Sequence, residues 1–231
     1  MTSNMRRIRI QKIADMVQKG MIVADIGTDH AFLPVYLVQN GIAPKAYACD
    51  ISEGPLHSAR TNIAEAGLTA QIPVIQSDGL DHVPADTQCI VIAGMGFETA
   101  RGILERNRER VRNFSQIIVE VNRDTVEMRQ WISDHHGTMD NEVYIHEKKH
   151  DYTAIAFRPV YHACYSEVEI LFGPVLLQKE DPEYLDYLKR QKRKLELILE
   201  KSGGKAPAVG RIRRKLSLYQ LISENKKDAV I

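Results

Sequence analysis

The stretch "VADIGTDHAFLP", residues 23–34, runs an apolar strand into a tight turn that holds a single glycine. Turns that bind dinucleotides use G-x-G-x-x-G, because only glycine lets the backbone come close to a pyrophosphate. Counted from Gly27, the second glycine position holds Asp29 and the third holds Phe32. A carboxylate at that place repels a diphosphate, which disfavours NAD and FAD. No GxxxxGK[ST] pattern occurs in the chain, so a P-loop NTPase is excluded.

The surrounding pattern repeats the strand-to-helix step. Strand-like runs at 21–27, 46–52, 72–80, 89–96 and 116–122 alternate with amphipathic runs at 30–41, 54–68, 97–111 and 125–135, after an opening helix over 5–18. Gly20, Gly41 and Gly67 stop the helices that precede them. Apolar strands between amphipathic helices predict a parallel sheet covered on both faces. At 141–159 two strand-like runs meet at a charged turn, which predicts an antiparallel hairpin. A Rossmann-like, mostly parallel α/β sheet ending in such a hairpin is the architecture of class I methyltransferases, by analogy of fold. Beyond Pro159 an apolar segment starts near 169. A helix then follows Pro182 with Tyr184, Leu188, Leu195 and Ile198 on one side. A Gly/Pro loop covers 201–210, and a last helix covers 211–227 with Ile212, Leu216, Tyr219 and Ile222 on one side. Spacings of three and four predict an antiparallel helix pair. Two domains are expected, 1–165 and 166–231.

In open α/β sheets ligands lie beyond the carboxyl ends of the strands. The polar residues expected there are Asp25, Gly27, Asp29 and His30, then Asp50, then Asp78 and Gly79, then Gly94 and Gly96, and finally Asn122. One Asp at a strand end is an ordinary turn former; three in succession point to a ligand. S-adenosylmethionine suits the acidic turn, since it carries a sulfonium and an ammonium and no phosphate. Asp25 and Asp29 are placed to accept those cations. Asp50, about twenty residues past the turn, is where an acid bonds ribose hydroxyls. Asp78 and Gly79 fall near the adenine, and the glycines at 94 and 96 leave room for the methyl group and its acceptor.

Charged residues make up 26% of the chain and hydrophobic ones 44%, so a full core can be buried. The net charge of +1 hides an asymmetry: residues 185–231 hold 13 Lys/Arg against 5 Asp/Glu. A basic tail on an acidic body suggests a polyanionic partner, with a solvated helix face as the plainer reading. Lys189, Arg190, Lys192, Arg193 and Lys194 cluster on one helix, and Arg211, Arg213, Arg214 and Lys215 open the next. No aromatic residues interleave with them, so they read as a grip on phosphates and not on bases. Cys49, Cys89 and Cys164 have no metal-like spacing, and an odd, sparse count fits a reducing cytoplasm. No run approaches the roughly 20 apolar residues of a membrane span. A cytoplasmic protein without metal or membrane association is expected, as a monomer or weak dimer.

"ADIGTDHAFLP", "SDGL", "IAGMG", the Trp of "MRQWI" and "FGPVLLQKEDP" together resemble the bacterial tRNA (adenine(22)-N1)-methyltransferase family over nearly the whole chain. The resemblance implies a class I methyltransferase domain, a small helical C-terminal domain, and methylation of N1 of an adenine in tRNA. It implies cofactor contacts from Asp25, Gly27, Asp29, His30, Asp50, Ile51, Asp78, Gly79, Ala93, Gly94 and Met95. Asn122 is placed to bond the adenine edge, Phe97 and Tyr152 to stack on the base, and Asp29 and His30 to orient the amine or take a proton. The chain departs from the family pattern at three places. Phe97 follows "AGMG" where the family has Gly, Glu120-Val121-Asn122 stands for Gln-Pro-Asn, and Thr153 follows Tyr152 where the family has an acid. Two alternatives stay open: a class I methyltransferase acting on a small molecule or protein, and a non-catalytic RNA-binding relative.

Overall fold

The computed structural model describes residues 3–201 and 209–228. The chain divides into two compact units, residues 1–165 and 166–231.

The first unit is a seven-stranded sheet. Its strands are β1 (Val23–Ile26), β2 (Ala46–Asp50), β3 (Val74–Gln76), β4 (Cys89–Met95), β5 (Gln116–Val121), β6 (Thr138–Glu147) and β7 (His150–Arg158), in the order β3-β2-β1-β4-β5-β7-β6. The first five pair in parallel, and β7 runs antiparallel between β5 and β6. The order reverses between β1 and β4, the place where the loops leave a crevice. Side chains alternate faces along each strand, which sorts the core into two layers. The helices α1 (Ser3–Ala14), α2 (Phe32–Gln39) and α3 (Glu53–Glu65) cover one face. There Ile13, Leu33 and Leu37 meet Val91, Ile118 and Ala156, and Ala59 and Ile63 meet Ala48. The helices α4 (Phe97–Arg106) and α6 (Thr125–Asp134) cover the other, where Leu104, Met128 and Ile132 meet Ile90, Ile117 and Val119. Strands that are apolar on both faces follow from this sandwiching.

The expected elements are present with shifted ends. The helix expected over 97–111 breaks at Asn107 into α4 and the short α5 (Arg108–Val111). Of the strand and turn expected over 72–80, three residues form the strand, at the sheet edge. The opening helix ends at Ala14, not near 18, because Met16 and Val17 turn back to bond the carbonyls of Ile13 and Ala14.

The second unit holds α7 (Glu167–Phe172), α8 (Pro174–Lys179), α9 (Pro182–Lys201) and α10 (Val209–Asp228). Ser166 opens α7 with a capping box closed by Glu169. Gly173 at φ 84° and Pro174 then split the apolar segment into two short helices. Tyr184 and Leu188 of α9 and Tyr219 of α10 are buried, and Phe172 packs edge-on against Tyr219 at 4.7 Å. Ile198 does not join this seam: it is 51% exposed, and Leu199 takes the inward place. Of the loop expected over 201–210, residues 202–208 lie outside the described residues, and Val209 and Gly210 already belong to α10.

Candidate active site

The first turn is fixed by β2. The amides of Gly27 and Thr28 both donate to the carbonyl of Cys49, at 2.8 and 3.0 Å. Gly27 has φ +75°, and a Cβ there would stand 2.3 Å from the Met95 methyl, so the β4 loop lies directly on the turn. Asp29 and Ala31 follow in left-handed conformation, at φ 51° and 56°. Ala31 is the N-cap of α2 and gives it no side-chain cap. An alanine held there is a strained residue of the kind that collects at functional sites.

Asp25, next to last in β1, has its carboxyl buried and accepts one hydrogen bond from Thr28 Oγ1 at 2.7 Å. Burial pushes its pKa up to about 7; the Thr28 bond opposes this, and the charge of Asp50 adds to it. Asp29 and His30 are more open. His30 Nε2 lies 3.5 Å from Asp29 Oδ1, and the His30 ring stacks on Phe32 with centroids 5.3 Å apart.

The second half of the site is a β-bulge. Ala93 pairs with Glu120 and Met95 with Val121, which leaves Gly94 unpaired at φ +78°. Side chains of β5 and its end take over the ladder's role. The Gly94 amide donates to Glu120 Oε2 at 3.0 Å, and the Gly94 carbonyl accepts from Asn122 Nδ2 at 2.8 Å. Glu120 is fully buried. Burial raises its pKa and Glu147 adds to that, while Arg9 and the Gly94 amide lower it. Arg9 Nη1 stands 3.6 Å from Glu120 Oε2, and its guanidinium lies over the Tyr152 ring, 5.0 Å from the centroid.

A cavity of about 230 Å³ joins the two halves. Asp25, Gly27, Asp29, His30, Ala93 and Gly94, all named from the sequence, line it. The sequence reading missed Arg9, Ile10 and Ile13 from α1, and Thr28, Phe32 and Leu33 beside the turn. The available signal was positional: Ile10 and Ile13 share an apolar face on the helix that leads directly into β1.

The remaining candidates do not line this cavity. Asp50 Oδ1 accepts from the Ser52 amide at 2.9 Å, and Ile51 is 57% exposed beside it. Both oxygens of Asp78 are held by Arg106, at 3.0 and 2.8 Å, and Gly79 rests against Ile103. Phe97 packs on the core with the Arg101 guanidinium 5.9 Å from its ring. Asn122 is exposed. In the second unit Lys189 pairs with Asp186, Arg193 with Glu196 and Arg214 with Glu167. Arg190, Lys194, Arg211 and Arg213 are exposed, and Lys192 and Lys215 half-buried. Among the described residues no group of three or more His, Cys, Asp or Glu is placed to hold a metal ion, and no helix is long and apolar enough to cross a membrane.

Residues 6–155 match the family described as a methyltransferase domain. The chain is 31% identical to the tRNA (adenine(22)-N(1))-methyltransferase of Bacillus subtilis over 183 residues, 77% of each chain. A putative tRNA (m1A22) methyltransferase of Streptococcus pneumoniae, solved in complex with S-adenosyl-L-methionine, superposes with a TM-score of 0.82 at 28% identity, over 93% of this chain and 98% of that one. TrmK of M. capricolum, solved with S-adenosyl-homocysteine, superposes at 0.80 with 30% identity, over 93% and 96%.

Proposed function

The chain belongs to the tRNA (adenine(22)-N(1))-methyltransferase family, and on that premise we propose that it methylates N1 of an adenine in tRNA with S-adenosylmethionine as donor. The observation that carries this reading is the cavity at the β1/β4 reversal, walled by the buried Asp25 carboxyl, the open Asp29 and the bulged Gly94. The residues fit the donor. Among the described residues Asp25 has a single hydrogen-bond donor at its carboxyl, and burial has raised its proton affinity. A cationic ligand beside it restores the charge compensation that burial removed. The left-handed Gly27 leaves its Cβ position to the Met95 methyl, which brings the β4 loop against the turn that faces the donor.

When bound, S-adenosylmethionine supplies a methyl carbon on a positive sulfur, open to in-line attack by a nitrogen lone pair. The chain's own residues place the partners. Asp25 and Asp29 take the positive end of the donor. Asp50, with one oxygen already bonded to Ser52, offers the other to ribose hydroxyls. Asp78 and Gly79 border the adenine, and the ion pair of Asp78 with Arg106 holds that loop. Asn122 gives one Nδ2 proton to the Gly94 carbonyl, which leaves its Oδ1 as an acceptor for the base. An adenine presenting N1 shows its exocyclic amine alongside, a donor that matches this oxygen. Methyl transfer moves the positive charge from the sulfur to the base with no proton released, and His30, at the cavity wall, is placed to accept a proton from the exocyclic amine where the base later gives one up.

N1 is a pairing atom, so the base must be unpaired or extruded before it reaches the site. The basic helices α9 and α10 supply the phosphate grip, and the protein works in the cytoplasm as a monomer or weak dimer, without metal. Titration calorimetry tests the cofactor half of the reading. S-adenosylmethionine and S-adenosylhomocysteine are expected to bind at one site per chain and NADH not to bind. Uptake of NADH with no response to S-adenosylmethionine would overturn it.

A further inference from the structure

We propose that Glu120 is a positioning residue for methyl transfer: as a carboxylate it clamps the bulged Gly94 peptide and, through Arg9, locks helix α1 onto the wall of the cofactor cavity. The proposal rests on the methyltransferase reading above and adds a role for a side chain that touches no ligand.

The bulge leaves Gly94 without a backbone partner on β5, yet both of its polar groups are bonded, the amide to Glu120 and the carbonyl to Asn122. The amide and the carbonyl belong to the two peptide groups that flank the Gly94 Cα, so the two bonds hold both planes and with them the path of the chain into Met95, whose methyl sits where a Cβ of Gly27 would stand. The clamp thereby sets the distance between the β4 loop and the first turn, the two sides of the cavity.

An amide would hold the Gly94 N–H as well as a carboxylate does. What the carboxylate adds is charge, and that charge faces Arg9 at 3.6 Å. Arg9 lines the cavity, passes within 4.0 Å of a Cβ built on Gly94, and lies over the Tyr152 ring. One guanidinium thus joins α1, the bulge and β7. The groups facing the Glu120 carboxyl are Arg9 from α1, Glu147 from β6, the Gly94 amide from β4, and Tyr152 of β7 behind Arg9. Glu120 Oε1 and Glu147 Oε1 are both buried without a hydrogen-bond partner among the described residues. Arg9 therefore carries the compensation for this carboxyl, and protonating Glu120 releases Arg9 and weakens the clamp.

Two measurements test this on the full chain. The first is kcat against pH at saturating cofactor and tRNA, for the wild type, Glu120→Gln and Arg9→Gln. The wild type is expected to lose kcat on the acid side as Glu120 takes its proton. Glu120→Gln should lack that limb and run roughly tenfold slower at neutral pH. Arg9→Gln should move the limb to higher pH, because Arg9 holds the Glu120 pKa down. The limb set by Asp25 belongs to cofactor KM and stays in all three. The second is hydrogen exchange of the Gly94 amide without cofactor or tRNA, corrected for its intrinsic pH dependence. Protection is expected to fall with acid in the wild type and stay flat in Glu120→Gln. Wild-type kcat with an unmoved acid limb in Glu120→Gln, or Gly94 protection equally pH-dependent in both, would overturn the proposal. Should no form of the protein methylate tRNA while Gly94 exchange behaves as expected, the methyltransferase reading fails and the clamp stands.

Discussion

Asp25 concentrates the conflict between stability and function in one carboxyl. Its pKa near 3.8 in the unfolded chain rises to about 7 in the folded one. Between those values the folded state binds the extra proton, so stability falls as pH rises from about 4 to 7, by up to about 4 kcal/mol. Asp25→Asn removes that loss. Without cofactor it is expected to melt higher than the wild type at pH 8 and much the same at pH 4, with little stabilisation by S-adenosylmethionine at either pH. Thermal melts with and without the donor check this, and a lower melting point at pH 8 would contradict it. Gly27→Ala meets two obstacles. The Met95 methyl at 2.3 Å is the far end of a flexible chain and can swing away, but φ +75° remains. A loss of about 1–2 kcal/mol in stability and a weaker donor affinity are expected, measured by denaturant unfolding and calorimetry. Asp25, Asp29 and His30 were legible in the sequence because a strand ending in polar residues is a local pattern. Arg9 and Glu120 were not: 111 positions separate them, and only the bulge at Gly94 gives them a common purpose. Asp78 looked free for the same reason, since its partner Arg106 lies 28 residues on.

The strand and helix rhythm was readable because burial on both faces forces apolar strands, and because glycines end the helices. The boundaries were less so. "RNRERV" has helical composition throughout, yet the chain breaks at Asn107 and restarts with α5. At α9 the inward residue is Leu199 and not Ile198, a difference of one position that a run of apolar residues hides. One contact between elements deserves its own test. Arg129 of α6 and Glu142 of β6 form an ion pair at 2.7 Å with side chains 3% and 0% exposed. Removing one partner strands a buried charge. Arg129→Met is expected to cost about 3–5 kcal/mol in urea unfolding, and Arg129→Met combined with Glu142→Leu much less. Equal losses in the single and double variants would show that the pair's burial is not what the single variant disturbs.

Across the molecule, charge is divided between an acidic body and a basic tail. Lys194, Arg211 and Arg213 are exposed and form no ion pair among the described residues, unlike Lys189, Arg193 and Arg214. Replacing those three with Gln is expected to weaken tRNA binding and to flatten the slope of log affinity against log salt by about 2–3, with donor affinity unchanged. An unchanged slope would remove the tail from the tRNA contact. The proposed reaction needs an acidic crevice for a cationic methyl donor and an adenine whose N1 has been freed from pairing. Incubation with methyl-labelled S-adenosylmethionine and unmodified tRNA transcripts, followed by nucleotide mapping by mass spectrometry, tests it most directly. One labelled nucleotide per tRNA is expected, carrying its methyl on N1 of an adenine; label on another base or another atom, or none in tRNA from a chain that binds the donor, would overturn the proposed reaction.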